Sequence, residues 1–320
     1  MKPTAADKPS AKRDVKESKG VRLDVDEADN EESFYKYMEA NPNAGMNTVA
    51  GDSDDDEEGR GVEYDADGNP TGMVSGPKVI EPLPRIDHST VTYAPFCKNF
   101  YEEHEEIKAL TLDQVINLRN KLNIRVHGPS PPKPVSSFAH FGFDDQLLKS
   151  IRKSEYSQPT PIQAQAIPIA LSGRDIIGIA KTGSGKTAAY LWPLLVHIMD
   201  QPDLKHDDGP IAIILAPTRE LSQQIYNEAK KFGKTYNIRV VCAYGGGSKW
   251  EQSKDLELGA EIVVATPGRL IDLVKMKATN LRRVTCLVLD EADKMFNMGF
   301  EPQVRSICDH IRPDRQSKTI

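Results

Sequence analysis

The chain has 320 residues, 41 Lys+Arg against 47 Asp+Glu, a net charge of −6 and four cysteines. That length excludes a small disulfide-stapled scaffold, and the widely spaced Cys97, Cys242, Cys286 and Cys308, with no C-x-x-C pair, read as reduced thiols of an intracellular protein. No apolar run reaches about 18 residues, and "MKPTAADKPSAKRD" lacks an apolar h-region, so a membrane span and a secretory signal are excluded and cytosol or nucleus is expected.

Charge is unevenly placed. Residues 1–80 hold 10 Lys+Arg and 19 Asp+Glu, a net of −9, leaving 31 basic and 28 acidic groups for the rest. With few branched aliphatics, residues 1–80 bury too little apolar surface to offset the entropy of ordering, and they are expected to be a disordered acidic tail. Its acid run "GDSDDDEEGR" reads as a solvated spacer, or as a phosphorylatable Ser53 or basic-partner contact. The island "EESFYKYMEANPNAG" is either a linear motif that folds on a partner or a stray apolar cluster.

Residues 81–135 form a denser extension. Thr111 and Gln114 make a capping box, and Leu112, Val115, Ile116, Leu118 and Leu122 make an apolar stripe, so a helix is expected, ended by Gly128-Pro129 and packed on the succeeding domain. "GPSPPKP" reads as a stiff linker.

Residues 136–320 alternate apolar β-branched runs ("DIIGIA", "IAIILAP", "VVCAYGG", "EIVVATP", "CLVLDEAD") with amphipathic helical stretches. That pattern predicts an α/β fold, one parallel sheet covered by helices on both faces. "AKTGSGKT", Ala180, Lys181, Thr182, Gly183, Ser184, Gly185, Lys186 and Thr187, follows a strand and opens a helix, the context of a phosphate-binding P-loop. Gly183 and Gly185 let backbone N–H groups face the anion, Lys186 reaches the terminal phosphates and the Thr187 hydroxyl ligates Mg²⁺. Ala180 replaces the usual leading Gly, and Pro193 is expected to kink the following helix or break it early. Downstream, Asp290, Glu291 and Asp293 end an apolar strand, where acids face the ligand crevice of an α/β sheet. Asp290 is expected to hold the metal, directly or through water, and Glu291 to orient and deprotonate the attacking water.

Asp290-Glu291-Ala292-Asp293 spells DEAD, and the sequence resembles the DEAD-box RNA helicases, RecA-like nucleic-acid motors. "YSQPTPIQ" looks like that family's Q motif, and the resemblance implies ATP, with Gln163 pairing with adenine and Phe138 stacking on it. Glu155 stands where the family usually has Gly, a departure expected to cost little because Pro159 and Pro161 set the turn. "APTREL" (Pro217, Thr218, Arg219), "YGGGS" (Gly245, Gly246) and "TPGRL" (Thr266, Pro267, Gly268, Arg269) resemble the motifs that grip single-stranded RNA or duplex ends by backbone contacts without reading sequence. The segment Pro82 to Leu122, with "FYKYMEANPNAG" and "SFAHFGFDDQLL", resembles extensions of spliceosomal members, particularly the one accompanying the splicing factor three-b complex; it implies nucleus and pre-mRNA splicing partners. By the same resemblance a strand, a Ser-Ala-Thr motif and a second RecA-like domain should follow "IRPDRQSKTI". The chain therefore reads as a fragment or truncated product, by itself a very weak ATPase, or else as a catalytically silent interaction fragment docking on splicing factors.

Overall fold

A computed structural model of the protein describes residues 60–64, 70–75, 80–205 and 207–320. Most of the acidic tail, with its acid run before Arg60 and its aromatic island, lies outside the described residues. Arg60–Tyr64 (β1) and Pro70–Ser75 (β2) pair antiparallel, Val62 opposite Met73. These two short strands lie within the stretch that composition reads as a disordered acidic tail.

Six parallel strands form the main sheet: β3 (Ile176–Ile177), β4 (Ala212–Leu215), β5 (Val240–Ala243), β6 (Ile262–Ala265), β7 (Cys286–Leu289) and β8 (Gln316–Thr319), in spatial order β3-β8-β7-β4-β6-β5. The strand expected beyond Ile320 is thus already made by Gln316–Thr319, paired between β7 and β3. β3 is shorter than "DIIGIA" suggests because the chain leaves the ladder after Gly178, whose N–H donates to Thr319 O at 2.8 Å.

Side-chain alternation divides the strands between two cores. Ile214, Ala216, Val264 and Val288 pack into one, with helices α3 (Asp145–Lys153), α4 (Pro161–Leu171), α5 (Lys186–Met199) and α6 (Arg219–Gly233). Ile213, Leu215, Val263 and Leu287 pack into the other, with α7 (Lys249–Glu257), α8 (Pro267–Lys275), α9 (Ala292–Asn297) and α10 (Glu301–His310). Because both faces are covered, the strands read as continuous apolar runs. Of the expected kink or early break at Pro193, the break does not occur, since α5 runs through it to Met199. Pro193 forgoes one helical hydrogen bond, but Leu191, Trp192, Leu194 and Leu195 around it are fully buried, and that burial outweighs a proline cost of about 3 kcal/mol.

The extension is strapped onto this α/β body. Leu83 N–H donates to Ser306 Oγ (2.8 Å), and His88 Nε2 lies 2.8 Å from Asp309 O. Tyr93 and Phe96 sandwich the Arg312 guanidinium at 4.8 and 4.7 Å. Phe96 and Phe100 then meet the buried His197 ring edge-on at 5.6 and 6.1 Å. Two helices follow, the single turn α1 (Glu105–Lys108) and α2 (Leu112–Lys121).

The α2 capping box forms as expected, Thr111 N–H to Gln114 Oε1 at 2.8 Å and Gln114 N–H to Thr111 Oγ1 at 3.3 Å. Its end is earlier than Gly128-Pro129. Asn123 takes a left-handed φ of 51°, and Ile124 N–H closes back on Arg119 O at 2.8 Å, a Schellman stop. The stripe is also only partly used: Val115 is buried, while Leu112 is 74% and Ile116 46% exposed. Arg119 does the docking expected of the stripe, donating to Gln165 Oε1 (3.0 Å) and Pro132 O (3.1 Å). Pro132 O also accepts from Gln165 Nε2 at 2.8 Å, so the Pro-rich segment lies against α4 instead of spanning space.

Candidate nucleotide and RNA site

Five of the singled-out motifs fall at the carboxyl ends of the parallel strands, whereas Phe138 and "YSQPTPIQ" precede the sheet, on a 3-10 turn and at the start of α4. β3 feeds the P-loop, β7 the acidic turn, β4 "APTREL", β6 "TPGRL" and β5 "YGGGS". That edge is where α/β sheets place their ligands.

The P-loop leaves Lys181, Thr182 and Gly183 exposed and leads through Gly185 into α5. Gly185, at φ 87°, is the N-cap and offers no side chain, so no side chain caps the first amides of α5. Free amides, the helix dipole, Lys186 and the adjoining Thr187 together suit a phosphate group. Ser184 Oγ is buried without a hydrogen-bond partner, a further polar group fitted to an anion. A Cβ on Gly185 would lie 2.5 Å from Gln163 Nε2 and would have to displace that amide, and φ 87° favours glycine on backbone grounds.

The acidic turn is held from both sides. Asp290 N–H donates to Leu215 O (2.9 Å) and Glu291 N–H to Ile320 O (2.7 Å). Glu291 has φ 53°, a left-handed conformation uncommon for a residue with a side chain, and it begins α9. Asp290 is 3% exposed, and its Oδ2 accepts from the Tyr190 hydroxyl at 2.9 Å. Burial pushes the Asp290 carboxyl above the usual carboxylate range, opposed by the Tyr190 hydrogen bond and the positive charge of Lys186. Desolvation and the Asp290 charge hold the Tyr190 phenol far above its ordinary value, so it remains a donor. A buried carboxylate with one oxygen tied down and Thr187 adjoining the same tyrosine is a donor set for a hard divalent cation.

On the other half of the edge, Thr218 caps α6, its Oγ1 accepting from Leu221 N–H at 3.3 Å. Arg219 lies 4.8 Å over the Tyr244 ring and donates to Gly246 O at 3.4 Å, which joins "APTREL" to "YGGGS". Gly245 and Gly246 are exposed and Thr266 half-buried, whereas Pro217, Pro267 and Gly268 are buried. Arg269 turns inward: it is 4% exposed and donates to Gly247 O (2.7 Å) and Gln252 Oε1 (3.3 Å). Gln252 clasps Tyr244 through its N–H (3.2 Å) and its carbonyl (3.1 Å), so Arg269 and Gln252 brace the glycine loop from beneath.

Two residues expected at the nucleotide, Gln163 and Phe138, are held by protein partners in this structure. Gln163 is fully buried, its Oε1 accepting from Thr160 N–H (3.0 Å) and its Nε2 donating to Gly185 O (3.2 Å), so both ends of the amide are engaged by the protein. Phe138 is 8% exposed and packs on Trp192 and Phe141 at 5.6 and 6.1 Å, inside the aromatic cluster and not at an open ring face. Glu155 is itself left-handed at φ 63°, and Tyr156 N–H closes on Ile151 O at 3.4 Å. The turn is therefore a Schellman stop made by Glu155, not one set by Pro159 and Pro161. Tyr190 and Gln252 carry no signal in the sequence, because their partners lie far along the chain or in a separate motif, 100 positions away for Tyr190.

A phosphate loop and an acidic turn on strands of one parallel sheet define a RecA-like nucleotide-binding domain. Comparison with known proteins narrows this class: the DEAD/DEAH box helicase family matches residues 160–320, and the chain belongs to that family. It is 62% identical to the ATP-dependent RNA helicase DDX42 of Homo sapiens over 305 residues, 95% of this chain and 32% of that protein. It is 59% identical to the DEAD-box ATP-dependent RNA helicase 24 of Oryza sativa subsp. japonica over 80% of this chain and 33% of that protein. The chain thus spans about a third of the length of these curated relatives. Among solved structures, the RNA helicase Prp28 of Chaetomium thermophilum bound to ADP superposes with a TM-score of 0.62 at 41% identity, covering 68% of this chain and 53% of that one.

Proposed function

We propose that this chain supplies the ATP- and RNA-binding domain of an ATP-dependent RNA helicase or ribonucleoprotein-remodelling ATPase that acts in nuclear pre-mRNA splicing. The observation that carries the reading is the sheet edge itself, with Lys186, Asp290 and Glu291 on one half and Thr218, Arg219, Gly245, Gly246 and Thr266 on the other. The named activity of the human and rice relatives supports the ATPase reading. Similarity to the yeast DEAD-box splicing factor Prp28, at 35% identity and a TM-score of 0.62, supports the splicing reading.

In this mechanism the amides of Gly183 to Thr187 and the Lys186 ammonium bind the ATP phosphates. Thr187 and Asp290 would hold Mg²⁺, which would offset phosphate charge. Tyr190 fixes the Asp290 carboxylate, and Glu291, one residue on, orients and deprotonates water for attack. Gln163 links base to phosphate: releasing Gly185 O and Thr160 N–H frees the amide to pair with adenine, so nucleotide entry reshapes the loop. RNA backbone lies across Thr218, Arg219, the exposed glycines and Thr266, with Arg269 positioning the loop. An arginine contributed by another domain is expected to supply the ~10³ to 10⁵ that such a group gives other P-loop NTPases. The test is RNA-stimulated ATP hydrolysis by the full-length protein, abolished by Lys186→Ala and by Glu291→Gln; wild-type rates in either variant would sink the mechanism.

A second reading, a silent docking fragment, draws on the exposed Leu112 and Ile116 of the extension. Pull-down from nuclear extract with residues 1–135 and 136–320 separates the two, since docking requires the first piece to retain ribonucleoprotein partners.

A further inference from the structure

His104 precedes α1 and Glu106 lies within it, while His140 belongs to the 3-10 turn Phe138–Phe141 at the start of the α/β body. Glu106 and His140 are 34 positions apart, yet His140 Nε2 is 3.1 Å from Glu106 Oε2. The His104 and His140 rings lie 4.8 Å apart at an interplanar angle of 34°. One donor atom from each of the three residues lies within 4.8 Å of the other two, the sole His/Cys/Asp/Glu cluster of this kind among the described residues. His140 is 8% exposed; its Nε2 faces Glu106, and its Nδ1, buried without a hydrogen-bond partner, would carry the ring proton when Nε2 ligates.

We propose that His104, Glu106 and His140 bind a divalent transition-metal ion, zinc by its chemistry, which staples the extension to the α/β body. Two imidazoles and a carboxylate form an N₂O set suited to zinc, whereas magnesium takes oxygen ligands in an octahedron. Donors about 2.0–2.2 Å from a tetrahedral ion stand about 3.3–3.6 Å from one another. The Nε2 to Oε2 pair is already near that separation at 3.1 Å. The remaining contraction falls on His104 and Glu106, both exposed, while the buried His140 stays fixed. His104 Nδ1 now accepts from the Glu106 N–H at 3.2 Å, so ligation through Nε2 moves the ring proton to Nδ1 and gives up that cap. The exposed side supplies an entry path and a fourth position for water. The neighbouring charges do not compete: Glu103 faces Lys133 at 3.9 Å, and Lys133 Nζ donates to Ile107 O and Lys108 O at 3.0 and 2.9 Å.

The experiment is a thermal melt of the full chain, stripped with chelator and titrated with zinc chloride, with magnesium chloride as control, beside the visible spectrum of the cobalt-loaded protein. A single zinc per chain should raise the melting temperature, magnesium should not reproduce the rise, and cobalt should give four-coordinate d–d absorption. His104→Ala and Glu106→Gln, at exposed positions, should still fold, His104→Ala with a somewhat lower zinc-free midpoint because its cap on Glu106 N–H is lost, and both should weaken zinc binding by about 10–100-fold or more. His140→Ala tests the buried ligand but is free to misfold, so the exposed variants decide. No zinc-dependent shift in the wild type, or a shift retained in both exposed variants, overturns the proposal and leaves a hydrogen-bonded His140–Glu106 pair.

Discussion

Glu155 closes α3 in a left-handed conformation, φ 63°, with its side chain in solvent. That conformation costs a residue with a Cβ about 1–2 kcal/mol, while glycine has less steric cost but loses more chain entropy. Glu155→Gly should therefore stabilise the protein by about 0.5–1 kcal/mol, read as a higher denaturant midpoint at unchanged m-value. At the proposed nucleotide site the informative residue is Tyr190. Tyr190→Phe leaves Asp290 Oδ2 buried without its donor, a loss of about 1–3 kcal/mol that should appear as a roughly tenfold or greater rise in the Mg²⁺ concentration needed for nucleotide binding. An unchanged Mg²⁺ requirement would show that the hydroxyl does not position the carboxylate. His197, 2% exposed, gives a pH signature, because burial, with Lys318 and Lys98 adding to it, lowers its pKa from 6.5 to about 3. Between those values the unfolded chain binds a proton that the folded chain does not. Stability is thus fully present above about pH 7 and falls as pH drops toward 3, by a few kcal/mol in all. Denaturant melts of His197→Gln at pH 7.5, 5.5 and 4.5 should show a flatter acid limb than wild type.

Elements show where local pattern sufficed. The P-loop and the acidic turn are legible because their chemistry depends on consecutive residues, and the α2 cap because a capping box spans four. Thr111→Ala should accordingly cost about 0.5–2 kcal/mol, measured by chemical denaturation, while Leu112→Ala beside it, 74% exposed, should stay within about 0.5 kcal/mol. Legibility fails where an apolar pattern has two outlets. The stripe of α2 has the spacing of a core-facing helix, yet Arg119 and Val115 carry the contact and rotate Leu112 and Ile116 into solvent. Pro193 reads as a break because local cost argues for one, and tertiary burial around Trp192 reverses it. The strand Gln316–Thr319 carries little apolar signal of its own and is set by its pairing with β7 and β3.

Across the whole molecule, the parallel α/β class and the gathering of motifs at one sheet edge follow from the alternation of strands and helices. Long-range side-chain roles do not. Nothing local marks Arg269 as a brace beneath Gly247, Gln163 as a strut under Gly185, or Phe138 as a partner of Trp192, since each depends on a contact made only after folding. The same holds for the strap of Tyr93, Phe96 and Phe100 over Arg312 and His197, which makes the extension part of the α/β body's packing. The proposed function rests on an ATP site built on Lys186, Asp290 and Gln163. Its most direct measurement is equilibrium binding of a fluorescent ATP analogue to the chain with Mg²⁺, competed by unlabelled ATP and GTP, for wild type and Lys186→Ala. Saturable Mg²⁺-dependent binding should be displaced by ATP well below the GTP concentration needed and be lost in a folded Lys186→Ala variant; equal competition by GTP, or undiminished binding by Lys186→Ala, would rule out an ATP site of this kind.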